Sequence, residues 1–383
     1  MLLIKNTFLI DPKTHRQERA DILVCDGKIA AIGDAAAFKE MTDASQLQIY
    51  DGEGLVAAPG LIDVHVHFRD PGFTYKEDIL SGSRAAAAGG FTTVVLMANT
   101  NPVVDNKETL SYVLEKGKET DIHVKSCCSI TKGMRGEELT DMSYLLQQGA
   151  AGFTDDGKPL LDEALTYQAM QEAARLGTVL SFHEENPAYI KDNGINAGKA
   201  SAYYGIGGSS REAEISMVRR DVRLAAETGA AINIQHISTK EAVMLVREAK
   251  KAGHAIHAEA TPHHIALTQE AAIRCGTLAK MNPPLREELD RAAIIEGLKD
   301  GTIDLIATDH APHSREEKEK SITQAPSGII GLETALPLCI TNLVKPGHLT
   351  LMQLLEKLTR NPAKLYGLDA GYLAVGGPAD IVL

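Results

Sequence analysis

Residues 60–69 read GLIDVHVHFR. The run Leu61–His67 is apolar over strand length, and His65 and His67 stand two residues apart. In a strand, residues i and i+2 share a face, so both imidazoles can meet one cation. Seven further apolar runs of strand length follow: Thr92–Asn99, His123–Ile130, Ala151–Asp156, Thr178–Glu184, Ala231–Ile237, Ala255–Ala260 and Ile303–Asp309. Helical patterns separate most of them, among them Lys76–Ala88, Leu161–Leu176, Arg211–Thr228, Glu241–Ala252 and Arg286–Leu298. Gly89, Gly177, Gly229 and Gly253 close several of these just before the next strand, as helix C-caps do. Near-continuous apolar strands alternating with helices predict an α/β fold with a parallel sheet covered on both faces. Eight such units predict a (β/α)8 barrel of the TIM type. A doubly wound open sheet is the alternative, but neither a GxGxxG nor a phosphate-binding loop accompanies it.

Outside the barrel the pattern changes. Residues 1–56 read as short β-prone runs broken by turn pairs, and Asp26-Gly27 between two of them predicts a hairpin. After the eighth strand, helices are expected over Gly331–Leu343 and Leu349–Leu365, followed by the turn-and-strand text GYLAVGGPADIVL. Three parts result. Residues 1–56 form the N-terminal part of a small β domain, 57–365 the catalytic barrel, and 366–383 a return to the small domain. The chain stops on an apolar run, and some C-terminal sequence is expected to be missing.

Composition narrows the function. The 383 residues carry 39 Lys+Arg against 51 Asp+Glu, a net charge of −12. So acidic a chain is a poor general binder of nucleic acid or anionic membrane. Aromatics are 4% and Trp is absent, so stacking platforms for single strands are not expected. No apolar run approaches the ~20 residues of a membrane span, and the start lacks the layout of a signal peptide. The five cysteines are scattered, without a CxxC pair. They are read as reduced thiols of a cytoplasmic protein.

Metal-competent residues recur where predicted strands end: Thr154-Asp155-Asp156-Gly157, Phe182-His183, Gln235-His236 and Thr308-Asp309-His310. In a barrel these ends share one rim, where barrel enzymes place their sites. Four histidines and one or two aspartates converging there are hard to explain as packing, because such groups are rarely buried without a partner. Nitrogen and oxygen donors without thiolate favour Zn, Mn or Co type ions. Their number points to two ions sharing a carboxylate, which would bring the pKa of a bound water to about 7 or below. Asp309 then suits a second task, as the base and acid that moves a proton.

The run Gly60–Arg69 resembles the metal motif of the amidohydrolase superfamily. With Arg69–Gly72, Met97–Thr100, Phe153–Gly157, Asn282–Arg286 and Thr308–His313, the chain resembles the dihydroorotase family of the long bacterial type over essentially its whole length. That resemblance implies reversible cyclisation of N-carbamoyl-L-aspartate to L-dihydroorotate in pyrimidine biosynthesis. Two Zn2+ ions, a hydroxide nucleophile between them and Asp309 as proton shuttle are implied with it. By motif, His65, His67 and Asp309 would hold one zinc, and His183 and His236 the other. Asp156 matches the bridging carboxylate. Asp155 is its competitor, because neighbours on a strand face opposite ways, and Lys158 as a carboxylated bridge is disfavoured. Arg69, Asn99 and His313 resemble contacts to the substrate carboxylate, with His67 beside them. Asn282 and the backbone of Ser327-Gly328 resemble contacts to the ring. Ser327 departs from the family pattern, which places an aromatic there. Arg69 also suits a carboxylate on chemical grounds, since a guanidinium grips one bidentately.

The resemblance further implies a homodimer and, in some relatives, association with aspartate carbamoyltransferase. His263 and His264 are expected to be structural and His310 to face away from Asp309. Glu184 and Glu185 are expected on the outer side of the fifth strand or in its loop. Ser314–Ala325 reads as a solvated loop, with a lid over the substrate as the other reading. Two rivals stand beside a dihydroorotase: a hydantoinase- or allantoinase-like cyclic amidase, and a non-catalytic partner subunit.

Overall fold

The computed structural model describes residues 1–41 and 47–383. Five strands come first: β1 (Leu2–Asp11), β2 (Arg16–Cys25), β3 (Lys28–Gly33), β4 (Gln48–Asp51) and β5 (Val56–Pro59). The β2–β3 turn has Asp26 at φ 49° and Gly27 at φ 72°, the pair of positive angles that a tight two-residue hairpin needs. The barrel follows as β6 (Leu61–Val66), β7 (Phe91–Leu96), β8 (His123–Ser126), β9 (Phe153–Thr154), β10 (Leu180–Phe182), β11 (Ile232–Ile234), β12 (Ile256–Ala260) and β13 (Leu305–Ile306). Finally β14 (Ile381–Val382) pairs antiparallel with β5, so the end of the chain joins the sheet that the start builds, in the order β14-β5-β1-β2-β3 with β4 on β1. Ile4, Leu9, Ile22, Ile29 and Leu373 form the core of this sheet.

The barrel ladder runs in two parallel arcs, β6–β7–β8 and β9–β10–β11–β12–β13. Single parallel bridges join the arcs at Cys128–Phe153 and at Val66–His310. His67 N donates to His310 O at 2.8 Å beside the second bridge, so the eighth strand returns to the first. Asp63 strengthens that closure by accepting from Thr308 N at 3.1 Å and from its own strand at His65 N, also 3.1 Å. Every residue of β6 is buried, as expected for a strand covered on both sides. The helices Ile79–Ala88, Glu163–Leu176, Glu212–Thr228, Lys240–Lys251 and Glu288–Asp300 supply the outer layer. Among the described residues no helix is long and apolar enough to cross a membrane.

The architecture is the expected α/β barrel with a β-rich region built from both ends. Gly89 caps the helix Ile79–Ala88 as expected, in a right-handed conformation at φ −81°, and Gly90 takes the positive angle of 86°. Two local expectations are corrected. The helix expected over Leu349–Leu365 breaks at Thr359 into Leu351–Leu358 and Arg360–Leu365. Pro362 lacks an N–H and crowds the preceding turn, which accounts for the break. The helix expected over Gly331–Leu343 is composite: a 3-10 turn, an α segment Ala335–Cys339 containing Pro337, and a π segment Ile340–Val344.

Candidate metal centre and substrate cavity

All the barrel strands but β12 end earlier than their apolar runs, and the residues past the ends form the rim. Asp156 lies two residues beyond β9, His183 one beyond β10, His236 two beyond β11 and Asp309 three beyond β13. Leaving the ladder frees the backbone to aim side chains inward. His236 and Asp309 do so at φ 35° and 49°, and Arg69 sits at 58°. Non-glycine residues at positive φ are uncommon, and such strain clusters at functional sites.

The inward side chains form two groups that share Asp156: His65, His67 and Asp156, and Asp156, His183 and His236. His65 Nε2 lies 3.4 Å and His183 Nδ1 3.4 Å from Asp156 Oδ1, with His236 Nε2 at 3.5 Å. The other Asp156 oxygen is 3.3 Å from His67 Nε2. Asp309 Oδ1 adjoins the first group, 3.1 Å from His67 Nε2 and 3.5 Å from His65 Nε2. His65 Nε2 and Asp156 Oδ1 are buried and satisfied by no hydrogen bond. Buried polar atoms with no partner, set among imidazoles and carboxylates, fit a divalent metal cofactor. Burial alone would raise the Asp309 carboxyl, but His65 and His67 outweigh it and hold the group ionised below its usual range.

The ring nitrogens pointing away from Asp156 are also engaged. His65 Nδ1 pairs with Glu259, His67 Nδ1 meets Asn99 Oδ1 at 2.9 Å, and His183 Nε2 meets Glu185 Oε2 at 3.1 Å. Such partners fix the tautomer and orientation of a ligating imidazole. Glu259 is itself held by Asn233 Nδ2 at 3.1 Å, and Asn233 reaches Ser181 Oγ, which bonds the Tyr366 hydroxyl at 2.7 Å. A polar column thus runs from Tyr366 to His65. The sequence reading missed Glu259, whose only signal is a carboxylate inside the apolar strand Ile256–Ala260. Glu184 and Glu185 lie in the loop after β10, one of the two places expected for them, but both are buried there and Glu185 is tied to His183. His310 does face elsewhere, bonding Glu77 Oε2 at 2.8 Å, and His264 bonds Thr261 Oγ1 at 2.8 Å and Pro283 O at 3.2 Å.

Asp155 turns the other way from Asp156. It accepts from Ile130 N at 2.8 Å, Thr131 N at 3.2 Å and the Thr131 hydroxyl, and burial pushes its carboxyl up to about 6. Lys158 is exposed. The two neighbours should therefore fail differently. Asp156→Ala should lose bound metal, measured by elemental analysis of purified protein. Asp155→Ala should retain metal but lose about 2–3 kcal/mol of stability, since buried donors are left unpaired. Equal metal loss in both variants would contradict this division.

A cavity of about 150 Å³ opens on the centre. His67, Arg69, Asn99, Asp156, His183, His236, Asn282, Asp309, His313, Ser327 and Gly328 line it. Every sequence-derived site residue is among them except His65, which lies fully buried beneath. Arg69 Nε donates to Pro312 O at 3.3 Å. Asn99 sits between cavity and centre, bonding His67 and donating from Nδ2 to Asp156 O at 3.2 Å. His313 donates from Nε2 to Ser327 O at 2.8 Å while Lys76 Nζ faces its Nδ1 at 3.2 Å. Burial, with Arg69 and Lys76 nearby, lowers the imidazole to about 4, so His313 is neutral at physiological pH. Gly328 must be glycine: at φ 149°, a Cβ would stand 2.4 Å from Ala311 O and 2.8 Å from the His313 ring.

Residues 54–242 match a family model described as dihydro-orotase-like. A dihydroorotase of Clostridioides difficile is 55% identical over 383 residues, covering 100% of this chain and 90% of that protein. One of Clostridium acetobutylicum is 51% identical, covering 100% and 89%. Among solved structures, an L-hydantoinase (dihydropyrimidinase) from Arthrobacter aurescens aligns with a TM-score of 0.83 at 28% identity, covering 100% of this chain and 86% of that one.

Proposed function

Because this chain belongs to the dihydroorotase family of metal-dependent cyclic amide hydrolases, we propose that it interconverts N-carbamoyl-L-aspartate and L-dihydroorotate in pyrimidine biosynthesis. The observation that carries this reading is Arg69, a half-buried guanidinium that lines the same cavity as His67, Asp156 and Asp309. A ring bearing a carboxylate needs such a group, and a plain cyclic amide does not. The reading assigns the chemistry to residues 57–365 and only scaffolding to 1–56 and 366–383.

His65, His67 and Asp309 would hold one ion, His183 and His236 the other, and Asp156 both. Two Zn2+ ions there would polarise the amide carbonyl and make water acidic enough to react at neutral pH. The remaining work falls to the chain. Arg69 anchors the substrate carboxylate, with Asn99 and His313 beside it. Asn282 and the Ser327-Gly328 backbone hold the ring. In the hydrolytic direction Asp309, ionised at rest, accepts the proton of the attacking water. It then delivers that proton to the ring nitrogen as the C–N bond breaks. Biosynthesis runs the same path backwards.

The similarity to hydantoinase structures favours one second reading, a cyclic amidase for rings without the carboxylate. Comparing hydrolysis of L-dihydroorotate with that of dihydrouracil separates the two, and a preference for dihydrouracil would replace this proposal. A non-catalytic subunit is disfavoured by the full set of six donors. Cytoplasmic location and a homodimer, docked in some settings to aspartate carbamoyltransferase, complete the reading. Light scattering and co-sedimentation check the assembly.

A further inference from the structure

We propose that Lys318 is a positioning residue for substrate binding: its ammonium ties the two backbone segments carrying Asn282 and Ser327-Gly328 into one wall of the cavity. This rests on the reading of that cavity as the L-dihydroorotate site.

Lys318 closes the short helix Arg315–Lys318, which begins two residues after His313. Its Nζ donates to Gly328 O at 2.9 Å, Pro326 O at 3.0 Å and Lys280 O at 3.3 Å. An ammonium has three donors and no acceptor, so these three carbonyls occupy it fully. Gly328 N returns a bond to Lys280 O at 2.9 Å. His313 Nε2 takes the carbonyl between, Ser327 O, at 2.8 Å. Three successive carbonyls, 326 to 328, are thereby fixed from the protein side. Lys280 completes the brace with Nζ on Ile322 O at 2.7 Å. Glu317 reaches the opposite way, to Lys76 Nζ at 3.0 Å and the Tyr75 hydroxyl at 3.1 Å. The segment read from sequence as a solvated loop or lid is strapped on both sides, and Lys318 is its knot.

A neutral side chain at 318 leaves these carbonyls without their shared donor, and the two segments can separate. The wall is used equally by bound substrate and transition state, so its loss belongs in KM. Losing one charge-assisted brace on the binding wall is worth about 10- to 100-fold in affinity. Lys318→Met should raise KM for L-dihydroorotate by about 10- to 100-fold, with kcat held within about threefold. Lys318→Arg keeps the charge but offers a planar fork, and should raise KM less. Hydrogen exchange gives an independent readout: the Gly328 amide should exchange faster in Lys318→Met. An unchanged KM, a kcat that falls as far as KM rises, or an unchanged Gly328 amide would overturn the proposal. If wild-type protein does not turn over L-dihydroorotate, the functional reading fails instead. The exchange measurement still decides whether Lys318 holds the wall.

Discussion

Asp309→Asn should lower turnover of L-dihydroorotate by about 10²–10⁴-fold, the usual cost of removing a general acid–base group. The amide keeps the size of the side chain and one coordinating oxygen but cannot accept the proton of the attacking water. The carboxylate suits its task because His65 and His67 hold it ionised against the effect of burial. Its position past the end of β13, on the rim and outside the apolar core, means that the variant should fold with an unchanged melting temperature. The check is steady-state turnover in purified variant and wild type with metal content measured in both. Near-normal turnover in the variant would remove Asp309 from the proton path.

Arg69→Met should have an effect of similar size but a different character. Methionine keeps much of the length and removes the charge-assisted hydrogen bonds, each worth about 1.5–3 kcal/mol. Loss of a bidentate pair should reduce kcat/KM for L-dihydroorotate by about 10²–10⁴-fold, at 1.4 kcal/mol per tenfold. Dihydrouracil lacks the carboxylate, so its poor turnover should barely change while Asp309 and the histidines remain. His313 cannot substitute for the lost charge, because burial and its cationic neighbours keep it neutral down to about pH 4. Equal damage to both substrates would show that Arg69 supports the centre as a whole and does not select the carboxylate.

The barrel was legible because its signal is periodic. Eight apolar runs alternating with helical patterns admit few arrangements, and strand ends of a barrel must share a rim. That ground brought His65, His67, His183, His236 and Asp309 forward, since polar groups ending apolar runs demand partners, but His263, His264 and His310 end strands too and only the family resemblance gave the ligand set. Strand alternation does not separate Asp155 from Asp156. Alternation says that one faces the centre, and only the Ile130–Thr131 backbone, which captures Asp155, determines which. Glu259 and Glu185 were not legible, because their role depends on imidazoles brought over from other strands. Lys318 was hidden for the opposite reason. In the text SREEKEKS it looks like one charge of a solvated run, and its three carbonyl partners come from segments that only folding brings together. Thr359 marks a helix break that a continuous apolar pattern concealed.

The proposed function requires one metal-dependent cavity that recognises L-dihydroorotate and opens its ring. The most direct test follows the absorbance of L-dihydroorotate during hydrolysis by purified protein, before and after chelation and again after Zn2+ is returned. Metal-loaded protein should turn the substrate over, lose that activity on chelation and recover it with zinc. Undiminished turnover by protein shown to be free of metal, or none by the fully loaded protein, would contradict the proposed function.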